Sequence, residues 1–123
     1  DYDFDIFFKA VYHWHDIINS AKYANNYDYN KAVFLMSEFN FIENGFLMLK
    51  EDTNYSSPIA TLFYEFYDDL QSLKLKIKDE ASQIQCIVSK NFCKNEVIFG
   101  ATQLPKLNDY ADNIDTVDFL LKI

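Results

Sequence analysis

The chain has 123 residues, a formal net charge of −8 at pH 7, 50% hydrophobic residues and 18% aromatic residues. That length allows one domain at most, and so apolar a composition excludes a disordered chain. The acidic balance opposes binding to phosphate backbones, which excludes nucleic acid, and no apolar run approaches the ~20 residues needed to span a bilayer.

Twelve Phe and nine Tyr stand beside only two Gly and two Pro. So much apolar material with so little turn chemistry reads as a slice of a larger protein. The two cysteines, Cys86 and Cys93, form neither a metal-ligand spacing nor a disulfide framework. A reduced, cytoplasmic protein is the expectation, with Cys86 a small core hydrophobe in a strand.

Asp3 is placed to cap a helix over about 4–19. Phe4, Phe7, Phe8, Val11, Trp14, His15 and Ile18 recur there at three- and four-residue steps and form one apolar face. Residues 19–30, rich in Asn and Tyr, read as a loop, and 31–37 as a short helix or a strand, the helix being preferred. Asn44-Gly45 lies between two apolar runs, Phe39 to Ile42 and Phe46 to Leu49. This is the strongest short-range hairpin signal, because both residues tolerate the positive φ of a type I′ turn, and it places a hairpin over about 39–50.

A polar loop from Thr53 to Ser57, closed by Pro58, leads to an aromatic strand over 60–67. Asp68 or Asp69 then caps a helix to about 82, and 84–89 reads as a strand. Strand, helix and strand with short joints predict a right-handed crossover with parallel strands, Leu73 and Ile77 being buried beneath the helix. Residues 97–100 read as a short strand. Asp115 or Thr116 starts a last helix over about 117–122.

His13 and His15 are two apart, and on a helix such positions point to nearly opposite sides, so they share no ion; one packed and one exposed histidine is the expectation. Glu51 and Asp52 stand at a strand end beside Thr53, Ser56 and Ser57. Strand alternation turns only one of them toward the loop. That acid could accept from a cofactor hydroxyl, serve as a general base, or stand on a solvated edge. The acidic stretch 108–115 lacks the glycine and closing glutamate of a calcium loop.

Four stretches carry a family resemblance: Lys31 to Ser37, Asn44 to Asp52, Ser57 to Ala60, and Phe99 to Gln103 together with Asp109 to Thr116. Together they resemble the C-terminal part of bacterial bioluminescence-type (LuxC-like) fatty acyl-CoA reductases, of the aldehyde dehydrogenase superfamily. The resemblance covers essentially the whole chain, 1–123. It implies an α/β fold, a fragment of an aldehyde-dehydrogenase-like catalytic domain with a β-hairpin and a βαβ unit. It also implies that the parent enzyme reduces a fatty acyl-CoA to a fatty aldehyde with NADPH, through a thioester on a cysteine thiolate.

In that family the nucleophile and most of the dinucleotide site precede the matched segment, so no catalytic residue is assigned here. Family members carry an acid, before a Phe-Gly-Pro turn, that touches the nicotinamide ribose. The nearest counterpart here is Glu51 or Asp52, ahead of Ser56-Ser57-Pro58, with a longer spacing and without Phe-Gly, and Glu51 is the one carried over. The rival readings are a self-contained acidic interaction domain and a carrier of a small apolar ligand. A slice of this kind would leave Phe4, Phe7, Phe8, Trp14, Tyr64 and Phe66 exposed and would associate into a homo-oligomer.

Overall fold

A computed structural model describes residues 2–107, 109–110 and 114–123. Among them the chain is mixed α/β, with four α-helices and one three-stranded sheet. It forms two compact units, Asp1–Phe66 and Tyr67–Ile123.

The first unit opens with α1, Phe4–Val11, whose N-cap is Asp3: its carboxylate accepts from the Asp5 N–H at 2.9 Å. The predicted helix continues to Asn19, but it tightens to 3-10 winding over Tyr12–Asn19. At three residues per turn the α-helical face is lost. His13 and His15 are consequently both exposed, each ring Nδ1 set against a carbonyl three residues back, where one was expected to pack.

The expected loop at 19–30 is instead the body of the longest helix, α2, Ala21–Met36. Its inward stripe is Tyr23, Tyr27, Asn30 and Phe34, at steps of four, three and four. These residues hide the helix from a count of aliphatic side chains, yet each presents apolar surface with a polar tip or an aromatic face. α2 ends in a Schellman turn. The Glu38 N–H donates to the Leu35 carbonyl at 3.2 Å and the Phe39 N–H to the Phe34 carbonyl at 3.0 Å. Glu38 takes the left-handed conformation usual for glycine there, with φ 56°.

The hairpin forms as expected, with β1, Phe41–Glu43, antiparallel to β2, Met48–Glu51. Its turn is not type I′. Residues 44–47 make a longer loop in which Gly45 has φ 92°. The Asn44 side-chain oxygen accepts from the N–H groups of Phe46 at 3.3 Å and Leu47 at 3.0 Å.

β3, Thr61–Tyr64, pairs in parallel with β2, giving the order β1-β2-β3. This corrects the predicted βαβ unit. β3 finds its parallel partner in the strand before it, through a helix-free connection over 52–60. Such a connection suffices because the strands are short: at about 3.3 Å per residue it easily spans back along four strand residues.

Met48, Leu49 and Lys50 are all buried, so β2 is covered on both faces. Met48, fully buried, packs with Tyr27, Phe34 and Ala60 in the core, and Ile18, Tyr23, Val33 and Phe41 close around it. On the other face Phe4 of α1 lies against Tyr64 with ring centroids 4.6 Å apart.

The second unit contains α3, Leu70–Asp79, a 3-10 turn at Ala81–Gln83, and α4, Thr116–Leu121. Asp69 caps α3 and Asp115 caps α4, each accepting from two backbone N–H groups. Residues 84–89 and 97–100 are not strands; they meet in one parallel bridge, Val88 to Val97. Leu73 and Ile77 are half-buried rather than buried, and Cys86 is exposed rather than in a strand core. The parallel partner of the aromatic run at 60–67 is β2 rather than 84–89.

Met48→Ala should destabilise the first unit by about 2–5 kcal/mol, the range for emptying a packed core site. Glu38→Gly should stabilise it by up to about 1 kcal/mol, because glycine adopts the left-handed conformation without a Cβ clash. Urea unfolding followed by Trp14 fluorescence measures both.

Candidate functional site

The densest polar chemistry of the first unit lies along β2 and its continuation. Register and alternation put Met48, Lys50 and Phe63 on the α2 face of the sheet, and Leu49, Glu51 and Tyr64 on the other. Lys50 is 8% exposed, unusual for a lysine. Its ammonium forms an ion pair with Asp52 and lies over three rings, 4.5 Å from the centroid of Phe39, 5.2 Å from Phe63 and 5.9 Å from Phe34. Ring faces are the negative poles of aromatic quadrupoles, so the cage replaces part of the lost hydration.

Asp52 spends its other oxygen on Asn54, accepting from the backbone N–H at 3.0 Å and from Nδ2 at 2.7 Å. Its own N–H continues the ladder to the Tyr64 carbonyl at 3.2 Å. The Lys50 hydrogen bond, with those from Asn54, holds the Asp52 carboxyl down from 3.8 to about 2.

Glu51 stands between these two residues, on the opposite face and exposed. It lies at the C-terminal end of a parallel strand pair and in register with Tyr64. An ionised carboxylate is an acceptor only, which suits paired hydroxyl donors such as those of a ribose. Lys50 passed unnoticed in the sequence reading. Its signal was a lone cation at the end of an apolar strand, with aromatic residues at 39 and 63.

A second polar group ties α2 to the hairpin. The Tyr27 hydroxyl donates to one Glu43 oxygen and Lys31 pairs with the other at 2.6 Å. Burial pushes the Glu43 carboxyl up, but the bonds from Lys31 and Tyr27 outweigh it and hold it below its ordinary value. Burial, reinforced by Glu43, raises the Tyr27 phenol. Nearby, the Tyr23 hydroxyl donates to the Phe46 carbonyl at 2.9 Å and Asn30 Nδ2 to the Ile59 carbonyl at 3.0 Å.

In the second unit, Glu96 fills a ring of donors. Ser89 Oγ lies at 2.5 Å, and the N–H groups of Asn91, Phe92 and Cys93 at 2.6, 2.8 and 3.2 Å. The Ser89 hydroxyl and these amides hold its carboxyl down to about 2. Cys93 is half-buried within this loop. Among the described residues, no group of three or more His, Cys, Asp or Glu side chains could hold a metal ion, and no helix is long and apolar enough to cross a membrane.

The structure thus brings Glu51 and Asp52 to the expected strand end and divides them between the two faces. The two histidines and two cysteines stay outside this group. Part of the 108–115 stretch lies outside the described residues. No protein family, curated protein or solved structure matches the chain.

The pH dependence of the Asp52–Lys50 pair has a defined sign. A carboxyl whose pKa is depressed by folding contributes stability above its unfolded value, and this is lost as the pH falls through the folded one. The stability difference between the native chain and Asp52→Asn should therefore be constant above about pH 4 and shrink between pH 4 and 2. Carbon-detected NMR should place the Asp52 midpoint near 2 in the native chain and closer to 3.8 in Lys50→Met.

Proposed function

We propose that the chain is the closing part of the catalytic domain of a LuxC-like, NADPH-dependent fatty acyl-CoA reductase of the aldehyde dehydrogenase superfamily. The observation that carries the reading is where the resembling residues sit. Lys31 to Ser37, Asn44 to Asp52 and Ser57 to Ala60 belong to three different elements, the end of α2, the hairpin with β2, and the approach to β3. In the first unit they supply Phe34, Met48, Leu49, Lys50 and Ala60, which make up much of the core around β2. The same runs deliver Glu51 to the end of a parallel strand pair, where open α/β sheets place their ligands.

In this reading the acyl group is carried as a thioester by a cysteine on another part of the polypeptide. Neither Cys86, exposed on the second unit, nor Cys93, within the Glu96 loop, takes that part. NADPH, when bound, would supply the hydride to the thioester carbonyl, and cleavage of the C–S bond would release the aldehyde and return the cysteine thiolate. The Glu51 carboxylate would accept a hydrogen bond from a ribose hydroxyl of that cofactor. The sheet beneath it, fixed by α2, keeps that acceptor in place.

A second reading is favoured by one feature. α1 and the 3-10 segment present Ile6, Tyr12, Trp14 and Ile17 to solvent, with Trp14 66% exposed. Exposed aromatic and aliphatic side chains on one segment suit protein–protein contact, including homo-oligomer formation.

The full-length polypeptide carrying this chain should oxidise NADPH when given a long-chain acyl-CoA, while the isolated chain should not. Loss of absorbance at the nicotinamide band measures it. Hydroxylamine should trap an acyl group from the full-length protein alone. Turnover by the isolated chain that disappears in Cys93→Ser would overturn the assignment. Light scattering of the isolated chain checks the second reading: a mass that stays near 14.5 kDa as concentration rises counts against self-association.

A further inference from the structure

We infer that Lys50 is a positioning residue for Glu51: caged by Phe34, Phe39 and Phe63 and paired with Asp52, it fixes the end of β2 so that the Glu51 carboxylate is held ready for a cofactor hydroxyl. The inference rests on the acyl-CoA reductase reading, in which Glu51 meets the ribose.

A strand end is where a sheet frays, since the last residues lack a neighbour on one side. β1 pairs with β2 only as far as Lys50, opposite Phe41. Glu51 therefore has β3 beside it and no β1 partner. An exposed carboxylate on such a residue would wander by rotation of the strand about its axis. Its neighbours prevent this. Lys50 and Asp52 flank Glu51 and project together to the opposite face, where their charges are joined. Turning Glu51 off its face would pull Lys50 out of its rings and break the ion pair. Asn54, bonded twice to Asp52, extends the clamp into the loop.

The pairing is also economical in register. Positions i−1 and i+1 face α2, and position i faces the other way, so the clamp never competes with a ligand for the Glu51 oxygens. Lys50 touches no ligand itself, and its effect passes through Glu51.

The test is a double-mutant comparison in the full-length polypeptide. NADPH affinity is read by fluorescence titration, and backbone order by hydrogen exchange without cofactor. Lys50→Met should weaken NADPH binding by on the order of tenfold, as should Glu51→Ala. The double variant should bind like Glu51→Ala alone, because a residue that acts through Glu51 has nothing left to position. Amide exchange at Asp52 and Asn54 should quicken in Lys50→Met and stay native in Glu51→Ala. Lys50→Arg, which keeps the cation, should recover part of the affinity.

Additive losses in the double variant would make Lys50 merely structural and overturn the inference, and so would native affinity in Lys50→Met or in Glu51→Ala. Where Lys50→Met fails to fold, Asp52→Asn takes its place in the same comparison, with the same outcomes expected. A native full-length polypeptide that neither binds NADPH nor reduces acyl-CoA overturns the reductase reading as well, which separates the two failures.

Discussion

The first unit is organised by one packing arrangement, α2 lying along the buried strand β2 through side chains that are apolar along their length and polar at the tip. Tyr23, Tyr27 and Asn30 each fill space against the sheet, and each then finds a partner at its polar end: the Phe46 carbonyl, the Glu43 carboxylate and the Ile59 carbonyl. A buried polar group without a partner costs about 1–3 kcal/mol, so these bonds act as conditions on the docking rather than as additions to it. They fix the helix at three places: the hairpin turn, the end of β1, and the turn before β3. A stripe of leucines would bury as much area and would specify none of these positions.

Lys50 shows the same logic with a full charge. Moving an ammonium into a core is costly, and its pairing with Asp52 offsets the cost only because three rings and a second set of hydrogen bonds complete the surroundings. A residue of similar length without charge would pack as well. What the charge adds is geometry at the strand end, where backbone pairing to β1 has already stopped. Removing one partner alone strands the other, so the pair is more sensitive to single substitutions than to joint replacement.

Features written in single residues were legible in the sequence. Asp3 caps the helix it was expected to cap, and of the alternatives Asp68 or Asp69 and Asp115 or Thr116 the caps are Asp69 and Asp115, because a carboxylate before an apolar period has one favourable local use. The hairpin was equally visible from Asn44-Gly45. The body of α2 was not, because its inward stripe is two tyrosines and an asparagine before Phe34. Its true end was hidden too, with Glu38 rather than glycine in the left-handed position. The partner of β3 was obscured for a different reason. An aromatic strand before a capped helix satisfies the local pattern of a βαβ unit, and nothing local says that the strand before it is the nearer partner. Of the candidate site, Glu51 and Asp52 could be placed at a strand end from sequence. Lys50 could not, since its cage is assembled from the end of α2, the turn that follows it and β3.

The parallel pairing of β2 and β3 decides which side chains meet at the end of the sheet. In a hairpin, adjacent strands run opposite ways, and a strand end meets the start of its neighbour. Here β2 and β3 run the same way, so Glu51 and Tyr64 end side by side. A carboxylate and an aromatic ring then share one edge of the sheet and one face, opposite the face that α2 covers. The Tyr64 ring is itself packed against Phe4 at 4.6 Å and Phe66 at 5.6 Å, so the carboxylate stands beside an aromatic cluster. The connection over 52–60 makes it possible without a crossover helix, and Asp52 and Asn54 brace its first turn. The loop that sets the strand direction is therefore also the one whose first residues hold the Lys50–Asp52 pair beside Glu51.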